Sequence, residues 1–62
     1  MLELVVLFLM LNGQPKAVAH FTVHVVAEGK SDRLDQQLNC DVARLHLQEY
    51  GFTGWCVPHI PL

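Results

Sequence analysis

Hydrophobic and polar positions divide this 62-residue chain into four stretches of different rhythm. Residues 2–11 (LELVVLFLML) are apolar almost throughout, broken only by Glu3. Hydrophobicity alone does not separate helix from strand in such a run. Its length, its Val5, Val6 and Phe8, and the Asn12-Gly13 that ends it predict a strand. Asn-Gly between apolar runs is a hairpin signal, because both residues tolerate positive φ in a type I′ turn. Apolar side chains at both parities predict a strand covered on both faces.

Residues 16–27 (KAVAHFTVHVVA) alternate. Ala17, Ala19, Phe21, Val23 and Val25 form one face, and Val18, His20, Thr22, His24 and Val26 the other, as in a half-buried strand. A two-residue turn pairs Leu11 with Gln14 and Met10 with Pro15. Extended without interruption, this register sets Glu3 opposite Thr22, between His20 and His24. A looser turn would set Glu3 on the core face, where an unpaired carboxylate is costly.

Residues 28–32 (EGKSD) read as a turn into a helix, with Ser31 or Asp32 as the cap. The helix is predicted over 32–50, stopped by Gly51. Leu34, Leu38, Val42 and Leu45 recur at helical spacing and are assigned to the core face. Cys40, Ala43, Leu47 and Tyr50 form a weaker stripe on roughly the opposite side, read as a second contact surface or as scattered exposed residues. Residues 52–57 (FTGWCV) predict a short third strand, ended by Pro58 and Pro61, with 58–62 an extended tail. The expected fold class is α+β, in the order β-β-α-β: one domain in which a small three-stranded sheet carries a helix on one face.

Composition sharpens this picture. The chain is 52% apolar and 16% charged, whereas a domain this short buries only about 60% of its unfolded surface. Surplus apolar side chains need a destination, and a partner is the simplest. The net charge of −2, with four scattered Lys and Arg, lacks the basic stripe of a nucleic-acid binder. Glu3 stands where a secretion signal carries its basic residues. The apolar run is also too short to cross a bilayer as a helix, which needs about 20 residues. A cytoplasmic protein is expected.

Candidate chemistry is sparse. Cys40 and Cys56 are expected as reduced, partly buried thiols, although a single bridge between them is open. Cys56-x-x-His59 has ligand-like spacing, so Cys56 and His59 are weak metal candidates. Cys40 and His46, which could supply the rest, are six apart on a helix and differ by about 120° in direction, so they do not converge. His20 and His24 lie about 13 Å apart along a strand, too far to share an ion. No glycine-rich elbow, Cys-x-x-Cys or phosphate loop marks a catalytic centre, and no cofactor is expected. Tyr50 and Trp55 are of the type that dominates interfaces, although Trp55 serves equally to plug a small core. A short hairpin, an acid-flanked helix and a final Gly-Phe strand, spanning Phe21 to Val57 with Tyr50-Gly51-Phe52, resembles the layout of small phage-encoded inhibitors that bind host enzymes. That likeness carries over no residue roles.

The function expected is that of a small non-enzymatic interaction module, a regulator or inhibitor that binds a larger protein and forms a homodimer. Its expected interface comprises Leu4, Val6, Phe8, Cys40, Ala43, Leu47, Tyr50 and Trp55. The alternatives are a structural zinc protein using Cys56 and His59, and a membrane-associated protein anchored by residues 1–11.

Overall fold

The computed structural model describes residues 3–27 and 29–61, with the side chains of residues 26, 59 and 61 outside the description. Strand β1 (Glu3–Leu11) turns at Asn12 and Gly13 into β2 (Gln14–Val23). A small ladder follows, β3 (Val25–Ala27) with β4 (Lys30–Ser31). Helix α1 (Arg33–Glu49) leads into β5 (Gly54–Pro61). The main sheet is antiparallel, in the order β2-β1-β5, with α1 across one face. This is the α+β fold expected, except that the strand predicted over 16–27 breaks at His24 into β2 and β3, and β4 forms within the stretch read as a turn. Residue 28 of that turn lies outside the described residues.

Asn12 and Gly13 have φ of 54° and 79°, the conformation of a type I′ turn. Leu11 pairs with Gln14 and Met10 with Pro15, as the turn dictates. The register then shifts between Leu7, opposite Ala19, and Phe8, opposite Ala17. Val18 is the extra residue of a β-bulge. Glu3 consequently lies opposite Val23 rather than Thr22. It shares the helix side of the sheet with Val5 and Leu7, the placement considered costly for a lone carboxylate. Arg33 removes the difficulty: its Nη2 and Nε donate to Glu3 Oε2 at 2.7 and 3.1 Å.

Two further expectations are corrected. Strand β5 does not end at Val57 but continues through Pro58 to Pro61, with Ile60 opposite Leu4. An edge strand can hold proline because one side of its ladder is unpaired. A register shift between Leu4 and Val6 accommodates the passage. Cys40 and Cys56 are joined in a disulfide, Cα–Cα 6.3 Å, and are not reduced thiols.

The largest correction is the rotation of α1. The core consists of Val5, Leu7, Leu9, Val23 and Cys40, with Ala43, Leu47, Cys56 and Phe21 packed against it. The face assigned to a second contact surface therefore rests on the sheet. Leu34, Leu38, Val42 and Leu45, assigned to the core, are 47–79% exposed. Three neighbours explain the choice. The cystine ties Cys40 to β5, Arg33 is held by Glu3 on the same side of the helix, and Ala43 is small enough to let the helix approach a sheet face already filled by Leu7 and Leu9. Cys40, Ala43 and Leu47 are thus interior, not interface.

The helix ends are well determined. Asp32 sits at the N-cap without a capping bond from its side chain. At the other end, Gly51 (φ 90°) donates to Gln48 O and Phe52 to Leu47 O. This is the paired closure that a left-handed glycine allows.

Candidate interaction surfaces

The even residues of β1 point away from the helix. Leu4, Val6, Phe8 and Met10 alternate with the buried Val5, Leu7 and Leu9. Cross-strand partners on β5 extend this apolar row, whereas on β2 the partners of Leu4 and Val6 are polar. Trp55 is opposite Phe8, Val57 and His20 flank Val6, and Thr22 and Ile60 flank Leu4. The Phe8 and Trp55 rings are stacked with centroids 5.9 Å apart and planes 14° apart, within the range of favourable aromatic pairs.

No described element lies over this row. The Cα extents are 40 × 20 × 11 Å, and a second layer on the open side would add about 10 Å to the thin dimension. Val6 is nonetheless only 7% exposed, while Trp55 and Met10 are 39% and 38% exposed. The result is a sheet face with a central apolar row and an aromatic stack. Larger continuous patches of this kind mark interaction sites more often than chance exposure.

Four of the expected interface residues, Leu4, Val6, Phe8 and Trp55, meet on this face. Of the two faces of β1 expected to be covered, one carries the helix, and no described element lies over the other. Trp55 does not plug the core. Tyr50 is exposed at the helix C-terminus. Met10 and Val57 were missed, and strand parity alone would have found Met10.

A second apolar surface is the outer side of α1. At about 100° per residue, Leu34, Leu38, Val42 and Leu45 fall within an arc of about 80°, directly opposite Cys40, Ala43 and Leu47. A groove of about 190 Å³ runs beside them, lined by Val42, Leu45, His46 and Glu49.

The polar groups serve the fold. Asp32 accepts hydrogen bonds from the His24 backbone N–H at 2.6 Å and from Gln36 Nε2 at 3.1 Å, with His24 Nδ1 at 3.4 Å. Its own N–H donates to His24 O. These bonds, the His24 amide foremost, hold the Asp32 carboxyl below its ordinary 3.8. The arrangement fastens the end of β2 to the start of α1. His20 and His24 do not share a strand face, because β2 stops at Val23.

Metal binding finds little support in this geometry. The Cys56 sulfur is bonded to that of Cys40, so it is not available as a thiolate ligand, and the His59 side chain lies outside the described residues. Among the described residues no three His, Cys, Asp or Glu side chains gather as a metal site. Within the stretch read as a possible anchor, residues 3–11 form β1, the central strand, and Val5, Leu7 and Leu9 lie in the core. No described helix is long and apolar enough to cross a membrane.

A small α+β fold with one covered and one open sheet face is thus defined. In comparisons with known proteins, no family model matches the chain, and no curated protein or solved structure does so either.

Proposed function

We propose that this protein is a small non-enzymatic interaction module. It binds a larger protein through the open sheet face and self-associates, and a regulator or inhibitor of that larger protein is the most specific role this supports. One observation carries the reading: the Phe8–Trp55 stack beside Val6, Met10 and Val57, on a face that the fold leaves uncovered. Trp is over-represented among the residues that dominate binding energy, above all when a neighbouring apolar surface can exclude water around it. The grooves beside the helix and near Lys30 are about 190 and 210 Å³, smaller than the roughly 300–1,000 Å³ of small-molecule pockets. The cystine favours an oxidising compartment over the cytoplasm expected from composition.

The test is co-purification of partners with tagged wild-type chain and with a Trp55→Lys, Met10→Lys variant. Both positions are partly exposed, so the variant should keep its fold, checked by circular dichroism. The expected result is a stoichiometric partner that the variant loses. A partner retained at full yield by the folded variant would refute the assignment to this face.

A further inference from the structure

The outer stripe of α1 is the more apolar side of that helix, and the fold turns it to solvent. We infer that its occupant is a second copy of the chain, packed antiparallel, helix against helix, about a two-fold axis passing between Leu38 and Val42. This rests on the reading of the protein as self-associating and assigns that association to a surface separate from the open sheet face.

The stripe complements itself in this arrangement. Antiparallel pairing about that axis sets Leu38 of one copy against Val42 of the other. It sets Leu34 against the level of Leu45 and His46. Leu34 is the most exposed apolar side chain of the stripe, at 79%. The groove at the other end is lined by Val42, Leu45, His46 and Glu49. A projecting leucine at one end and a four-residue hollow at the other match the knob-into-hole pairing of packed helices. By symmetry the contact is made twice.

The polar flanks fit as well. In antiparallel helices, residues on the same flank face each other across the seam. Asp35 and His46 lie on one flank at about 100° and 120° from Leu34, so each Asp35 carboxylate meets the imidazole of His46 of the second copy. Asp41, near the axis, already has Arg44 Nε of its own helix 3.6 Å from its carboxylate, which offsets the repulsion between the two copies of Asp41. Antiparallel helix dipoles favour the same arrangement.

The size of the contact sets the strength. A 17-residue helix is about 25 Å long, and one helix face is smaller than the roughly 800 Å² per partner of a standard interface. A dissociation constant of about 10–100 μM is expected.

Sedimentation equilibrium on the full oxidised chain, from about 1 μM to about 1 mM, tests this. The mass should rise from 7.0 kDa towards twice that value. Leu34→Lys, at an exposed position, should keep the fold and weaken the dimer at least about a hundredfold, since both copies lose their knob. Asp35→Lys should weaken it about fivefold, and adding His46→Glu should restore it. Trp55→Lys should leave it unchanged. A monomer at the highest concentration overturns the inference and self-association together. A dimer that survives Leu34→Lys but dissociates with Trp55→Lys overturns this surface while self-association stands. Failure of the double charge swap to restore affinity overturns the antiparallel register.

Discussion

The two sides of α1 differ in a way opposite to their hydrophobicity. The inner side offers Cys40, Ala43 and Leu47, and the outer side offers Leu34, Leu38, Val42 and Leu45, yet the inner side is the buried one. Burying a leucine or valine is worth about 1.5–3 kcal/mol, so the outer stripe forgoes an amount comparable to the stability of a 62-residue domain, about 3–9 kcal/mol. Apolar content therefore did not choose the buried face. A covalent bond to β5 and the Arg33–Glu3 ion pair determine the rotation, and a small side chain at Ala43 permits close approach. The sheet repeats the contrast: Val5, Leu7 and Leu9 of β1 lie under the helix, and the equally apolar even residues lie on the face that the helix leaves uncovered.

The sharpest way to break this contrast is to place one charge on each side. Leu7→Asp puts a carboxylate in the core with no partner, which should cost more than about 4 kcal/mol and abolish the cooperative urea transition. Leu38→Asp, measured at low micromolar concentration, should cost no more than about 0.5 kcal/mol. Similar costs at the two positions would mean that the helix rotation is wrong. Next in size is the cystine. Cys40 and Cys56 are 16 residues apart, and closing a loop of that length stabilises by about 3 kcal/mol. Cys40→Ala with Cys56→Ala should lower stability by that amount in urea titration, leaving the fold marginal. Gly54→Ala comes third. A Cβ there would stand 2.5 Å from Phe8 O and from Leu9 Cδ2. The leucine can move but the carbonyl belongs to the central strand, so a loss of about 2 kcal/mol is expected. An unchanged urea midpoint would mean that β5 lies farther from β1 than described.

Much of this was legible in the chain. Asn12-Gly13 announced the hairpin and its turn type, Gly51 announced the end of the helix, and strand parity placed Leu4, Val6 and Phe8 together. The losses have physical causes. A bulge at Val18 has no strong local signal, yet it moves Glu3 by one residue and so changes the face that its pairing predicts. The rotation of α1 depends on two links distant in sequence, Glu3 to Arg33 and Cys40 to Cys56, and helical periodicity records neither. Prolines in β5 were read as terminators because an edge position is a property of the sheet, not of the segment. Trp55 went to the open face because Cys56, its neighbour, is drawn to the helix side, and successive strand residues must alternate.

The smallest effect concerns the point where the helix is fastened to the sheet. The Asp32 carboxyl is held below its ordinary 3.8 by the His24 amide and by Gln36. In the unfolded chain it returns to the ordinary range, so between the two values the unfolded state binds more protons and stability rises with pH. The contribution is complete above about pH 4–5, and is lost as pH falls from there through the lower folded value. Asp32→Asn removes the titration, so urea midpoints should fall less steeply below pH 4 in the variant than in the wild type, while near pH 7 the variant is the less stable of the two. Equal acid slopes would show that the fastening contributes nothing to folding. The inner face of α1 would then be held down by the cystine, Arg33 and core packing alone.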